Sequence, residues 1–86
     1  MASFKVEFAH SATKDLRRID RQWVVRILDA VEGLATDCRP VGCKKLAGSE
    51  RTYRIRLGDY RVIYDIHDTK LVVFVIRVRH RRDVYR

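Results

Sequence analysis

The residues with the greatest chemical capacity lie in the last third of this 86-residue chain. From Arg51 to Arg86 it reads R-T-Y-R-I-R-L-G-D-Y-R-V-I-Y-D-I-H-D-T-K-L-V-V-F-V-I-R-V-R-H-R-R-D-V-Y-R. Arg54, Arg56 and Arg61 alternate with apolar residues, and the segment closes on His80, Arg81, Arg82 and Tyr85. Arginine suits phosphate because its planar fork meets two oxygens at once and stays charged. Histidine, with an ordinary pKa near ~6.5, gives or takes a proton near neutral pH. A tyrosine, ordinarily near ~10, turns into a base when neighbouring guanidinium groups favour the phenolate. Its ring also stacks on a splayed RNA base. One cleavage reaction needs no metal and no protein nucleophile, namely RNA scission by its own 2′-hydroxyl. It needs a base near the 2′-oxygen, cations around the crowded phosphate, and an acid at the departing 5′-oxygen. His80, Arg81 and Tyr85, beside a strand face carrying Arg54, Arg56 and Arg61, supply those parts. Taken singly, each strand arginine is more often a solvated charge than a ligand contact.

Other chemistries find no support. The chain has no G-x-S-x-G, no P-loop and no dinucleotide fingerprint. Serine occurs only at Ser3, Ser11 and Ser49, and the acids are scattered. No metal site and no cofactor are expected, because two-metal chemistry needs clustered carboxylates. Cys38 and Cys43 stand five positions apart without further Cys or clustered His, a poor zinc signature, and are expected to be free thiols.

Net charge sharpens the picture. The chain carries +8, with a pI near 10.1. Residues 1–50 hold 9 Lys/Arg against 7 Asp/Glu, whereas residues 51–86 hold 10 against 4. The basic character therefore belongs to the C-terminal segment, and an anionic partner is implied, with phosphate backbones first. No apolar run follows Met1, and Leu71 to Ile76 is the longest apolar stretch. A cytoplasmic protein with no membrane span is the expectation.

These side chains must be positioned by a small scaffold. Phe4, Val6 and Phe8 alternate with Lys5 and Glu7, which predicts a half-buried strand over 3–9. His10 or Ser11 is placed to cap a helix bearing Ala12, Leu16 and Ile19. Asp20 is placed to cap a second helix from Gln22 to about Ala35, with Trp23, Ile27, Val31 and Leu34 as its apolar stripe. The stretch from Thr36 to Arg51, with Pro40, Gly42 and Gly48, reads as a loop in which Lys44 and Lys45 are available to a phosphate. Strands are then predicted around Tyr53–Leu57, Tyr60–Ile66 and Lys70–Val78, with Gly58-Asp59 as a hairpin turn. The third is apolar enough to suit a central strand covered on both sides. His80 to Arg86 reads as a short tail. The order β-α-α-β-β-β over a single domain, 1–86, implies a two-layer α+β fold. Its mostly antiparallel sheet would carry an N-terminal helical hairpin on one face.

Three segments carry a specific resemblance: C-K-K-L-A-G-S, Y-R-I-R-L-G-D-Y-R-V-I-Y-D-I and V-F-V-I-R-V-R-H-R-R-D-V-Y-R. Together they resemble the RelE/ParE superfamily of bacterial and archaeal toxins, and its RelE branch most closely. The resemblance spans nearly the whole chain. It implies the toxin of a type II toxin–antitoxin pair that enters the ribosomal A site. There it would cut mRNA through the 2′-hydroxyl, leaving a cyclic or 3′-phosphate and a 5′-hydroxyl. A RelB-like antitoxin would hold it in a hetero-oligomer. Residue by residue, Arg54 and Arg56 match the family's basic strand positions, Arg61 its transition-state arginine, Arg81 its phosphate-stabilising arginine and Tyr85 its proposed base. Arg79, Arg82, Lys44 and Lys45 extend the RNA-binding set. Arginine cannot serve as a base, so Arg54 and Arg56 are expected to bind and orient. His80 competes with Arg81 as the acid. The chain ends one residue after Tyr85, so a C-terminal helix like that of longer members is expected to be a stub. A ParE-like toxin that inhibits DNA gyrase without nuclease activity is the alternative.

Overall fold

A computed structural model describes residues 3–82; Tyr85 lies outside the described residues. The elements in chain order are β1 (Lys5–Phe8), α1 (His10–Leu16), α2 (Arg21–Gly33), β2 (Lys44–Lys45), β3 (Thr52–Leu57), β4 (Tyr60–His67) and β5 (Val72–His80). The sheet order is β1-β5-β4-β3-β2. The first pair is parallel and the other three are antiparallel. The expected α+β architecture is present, with one more strand than the periodicity implied. Lys44 and Lys45 form a two-residue edge strand on β3. Two residues are too few to show an alternation, and Pro40, Gly42 and Gly48 mask them as loop.

The first helix begins one residue earlier than its sequence suggested, whereas the second begins after Asp20, as expected. Ala9 and Asp20 occupy the cap positions, and neither makes a side-chain capping bond. The helices survive through burial. Ala12, Ile27, Val31 and Leu34 join Ile55, Val62, Tyr64, Ile66, Val73, Val75 and Val78 in one core. Each such branched side chain contributes about 1.5–3 kcal/mol when fully buried, which exceeds a missing cap of about 1 kcal/mol. The opposite face of the sheet carries the charge. β5 is therefore only half covered, with Val72, Phe74 and Ile76 partly exposed. Its apolar run reflects flanking by β1 and β4 rather than a second covering layer.

β5 also starts and ends two residues later than predicted, because Leu71 takes a left-handed φ of 55° in the preceding turn. The strand contains a bulge. Ile63 pairs with Arg77 and Tyr64 with Val75, so Ile76 is the extra residue. Before it, Val73 and Val75 face the core; after it, Val78 does. Without the extra residue, strict alternation would send Arg77 and Arg79 inward, where an unpaired charge costs several kcal/mol.

A bulge leaves backbone groups to be satisfied, and α1 satisfies them. β1 follows β5 only as far as Val75, whose carbonyl accepts from the Ala9 N–H at 2.8 Å. Beyond that point Ser11 Oγ donates to the Ile76 carbonyl at 2.7 Å. The Val78 N–H donates to Asp15 Oδ2 at 2.9 Å. Arg77 donates to the same carboxylate from Nε at 2.9 Å and Nη2 at 3.1 Å. Asp15 is thus three-fold bonded with its side chain only 14% exposed.

A second tether holds the long connection. Tyr64, wholly buried, donates its hydroxyl to the Cys38 carbonyl at 2.9 Å. Burial first, and then the nearby Cys43 and Cys38 thiols, pushes the Tyr64 phenol above its ordinary value. Arg39 grips Asp68 through two bonds of 3.2 and 2.9 Å and donates from Nε to the Tyr53 hydroxyl at 3.2 Å. That hydrogen bonding holds the Asp68 carboxyl below its ordinary value. This latch is exposed and contributes little on its own. Both cysteines are free thiols, as expected.

Two outcomes follow from this scaffold. Asp15→Ala strands the Val78 N–H and loosens Arg77, and it is expected to cost about 1–3 kcal/mol in urea unfolding. The raised Tyr64 value makes its contribution complete below the unfolded tyrosine pKa near ~10, and that contribution is lost as pH rises toward the folded value. Alkaline unfolding should therefore steepen above about pH 10 in the parent chain and be flatter in Tyr64→Phe. Equal slopes would remove Tyr64 from this role.

Candidate nucleic-acid interface

Strand register assembles the arginines. Arg56 stands opposite Arg61, and Arg61 stands opposite Arg79. Three guanidinium-bearing residues thus form one row across β3, β4 and β5. The next row on the same face runs Lys44, Arg54, Ile63 and Arg77. Cross-strand neighbours sit about 4.5–5.5 Å apart at Cα, and successive same-face rows are about 6.6 Å apart along a strand. Like charges placed directly opposite one another destabilise a sheet by about 0.2–1 kcal/mol per pair. Partial burial first, and then the fields of Arg56 and Arg61, lowers the Arg54 guanidinium from its ordinary value. An anion laid across these rows would relieve the repulsion.

Arg56, Arg61 and Arg81 line one cleft of about 240 Å³ at the β3–β4 turn, together with Gly58 and Asp59. Arg81 is fixed there by its own backbone. Its N–H donates to the Asp59 carbonyl at 2.6 Å, and its Nη1 stands 3.7 Å from Asp59 Oδ1. The turn itself requires glycine. Gly58 has φ +56°, and a Cβ there would meet Trp23 Cη2 at 2.5 Å. The indole therefore seats the turn, and the turn seats Arg81.

His80 is separated from this cleft. It is the last residue of β5 rather than part of a tail, and it pairs with Tyr60. After the bulge that position turns to the helix side. There its ring meets Tyr60 edge-on at 5.2 Å, and Tyr60 meets Trp23 at 5.4 Å. The Arg82 N–H donates to His80 Nδ1 at 3.2 Å. Of the two loop lysines, Lys44 shares the arginine face through Arg54, whereas Lys45 pairs with Tyr53 and belongs to the other parity. Arg82 is exposed beside Arg81. Sequence reasoning missed Asp15 and Asp59 as supports. Asp15 is 62 residues from Arg77, and no local pattern links them. Among the described residues no group of three His, Cys, Asp or Glu side chains is placed to hold a metal ion, and no helix is long and apolar enough to cross a membrane.

The two helices and the five-stranded, mostly antiparallel sheet match the fold of solved RelE structures, and residues 6–85 match the family described as ParE toxin of type II toxin-antitoxin system, parDE. The chain belongs to that family, within the RelE/ParE superfamily. It is 32% identical to Toxin RelG of Mycobacterium tuberculosis, over 96% of this chain and 97% of that protein. It is 27% identical to Putative toxin RelE1 of Methanocaldococcus jannaschii, over 96% of each. Among solved structures, the archaeal RelE–RelB complex from Pyrococcus horikoshii superposes with a TM-score of 0.82 at 27% identity, covering 92% of this chain and 96% of that one.

The opposed row makes a stability prediction. Arg61→Gln should stabilise the isolated chain by about 0.2–1 kcal/mol at low salt. The gain should vanish in molar salt, where the Debye length falls to about 3 Å. Urea unfolding at both ionic strengths measures it, and a loss of stability at low salt would contradict the repulsion.

Proposed function

We propose that this toxin is a ribosome-dependent endoribonuclease. It would act in the cytoplasm, cutting mRNA in the A site, and be restrained by a RelB-like antitoxin in a hetero-oligomer. The observation that carries this reading is the Arg56–Arg61–Arg79 row, with Arg81 sharing the cleft of Arg56 and Arg61. Repulsion of this kind is tolerated at a price in stability that an RNA phosphate would relieve. Relatives named for RelE, and solved assemblies of RelE with RelB, support the choice of substrate and partner.

In this mechanism the 2′-oxygen attacks phosphorus while Tyr85 takes its proton. Arg61 and Arg56 neutralise the charge that builds on the non-bridging oxygens, a role worth about 10²–10³ in rate for a well-placed donor. Arg54 and Lys44 hold the neighbouring phosphate. The P–O5′ bond breaks, leaving a cyclic phosphate and a 5′-oxygen that receives a proton. The placement of Arg81 in the cleft favours it over His80 as the group that meets this oxygen. A guanidinium keeps its proton, so it holds the leaving charge by hydrogen bonding, and water delivers the proton. His80 instead braces Tyr60. No residue here needs a metal or cofactor. The ribosome would hold the mRNA in attack geometry.

The family description as a ParE toxin favours a second reading, inhibition of DNA gyrase without RNA cleavage. Mapping mRNA ends in a translation extract separates the two. Codon-phased cuts are expected from the parent chain. Arg61→Ala, Arg81→Ala and Tyr85→Phe should each lower the cleavage rate by about 10²–10³, and His80→Gln should largely spare it. Cleaved gyrase–DNA complexes without mRNA cuts would overturn the nuclease reading. Loss of cutting in His80→Gln with Arg81→Ala active would return the acid role to His80.

A further inference from the structure

The Arg56–Arg61–Arg79 row does not stop at the sheet. Past β5, where β1 no longer pairs, a cleft of about 370 Å³ opens between the end of α1 and the end of β5. Arg79 lines it on the strand side and Arg18 on the helix side, with Tyr60 and His80 at its wall. We propose that this cleft is a second RNA-phosphate subsite, reached by a strand that crosses Arg79 as it leaves the arginine face. The proposal rests on the reading of the site as an RNA interface.

Charge is the first argument. Asp15 is the carboxylate lining the cleft, and it is already committed to Arg77 and to the Val78 N–H. It therefore screens Arg18 and Arg79 little. Among the described residues no salt bridge involves Arg18, which is exposed. A smaller hollow of about 140 Å³, which shares Asp15, Arg18 and Arg77 with this cleft, adds Ser11 and Lys14, so the positive potential continues along α1. The second argument is shape. Tyr60 gives the cleft a ring, edge-on to His80, in a lining that also holds Arg18, Arg79 and the Asp15-bound Arg77. A ring beside cations is the combination that takes a nucleotide of single-stranded RNA. Continuity is the third argument. Arg79 is the register partner of Arg61, which lines the first cleft, and itself lines the second.

Arg17 provides an internal control, because it is exposed, adjacent, and carries the same charge as Arg18. Fluorescence anisotropy of the full chain with labelled oligouridine, across a salt series, reads the number of phosphate contacts. Arg18→Ala should flatten the dependence of log K on log salt by about 0.7 for an octanucleotide, the change for one lost single-strand contact. Arg17→Ala should not flatten it. A dinucleotide, too short to reach both clefts, should not tell the two variants apart. Arg18→Lys should restore most of the slope, which excludes a folding defect as the cause. If the phosphate comes from ribosomal RNA instead of the same strand, the difference between Arg18→Ala and Arg17→Ala will appear in ribosome association and be absent with the oligonucleotide. Identical behaviour of the two variants in both assays overturns the subsite. Codon-phased cuts persisting in that case would leave the nuclease reading intact. Absent cuts with the slope difference present would sink the nuclease reading and leave the subsite standing.

Discussion

β5 has to do two incompatible things on one alternation. Its residues Val73 and Val75 must enter the core, while Arg77 and Arg79, on the same parity, must stay out of it. The extra residue at Ile76 resolves the conflict by moving Val78 to the inner face. A bulge leaves unpaired backbone groups, and these must be bonded if they are not solvated. Ser11 and Asp15 meet that need from α1. The short helix thus completes the edge where β1 leaves off, and that junction fixes which face Arg79 and His80 occupy.

The position of Arg81 depends on a second junction. The β3–β4 turn carries Gly58 at a positive φ, with the Trp23 indole where a Cβ would lie. Arg81 hangs from that turn through the Asp59 carbonyl. A core residue of α2 therefore sets the height of a cationic side chain on the far face. The same aromatic column continues through Tyr60 to His80. His80 is drawn into the scaffold side of the sheet, and among the described residues the cleft is lined by Arg56, Arg61 and Arg81 with Gly58 and Asp59.

Stability and the proposed phosphate binding oppose each other on the open face. The hydrophobic layer of Ile27, Val31, Leu34 and the inward strand residues contributes far more than the repulsion among opposed arginines takes away. The sheet can thus hold guanidinium groups in fixed register without a bound counterion. Side chains held by strand register lose less freedom on binding than side chains on a loop, which favours phosphate capture.

Periodicity and composition alone determined the strand phases of β1, β3 and β4, the apolar stripes of both helices, and the concentration of positive charge in the C-terminal segment. Those properties are local, because alternation of period 2 or 3.6 depends on neighbouring residues. The motif resemblance, also in the sequence, gave the toxin family. Tertiary structure alone decided the pairing of Lys44–Lys45 with β3, the bulge at Ile76, the bonding of Asp15 to Arg77, and the side of the sheet on which His80 stands. Each of these joins residues far apart in the chain, or turns on one inserted residue that flips every later side chain. His80 and Arg81 are adjacent in sequence and stood as equal candidates for the acid. Strand parity and the Asp59 tether put them on opposite sides of the problem.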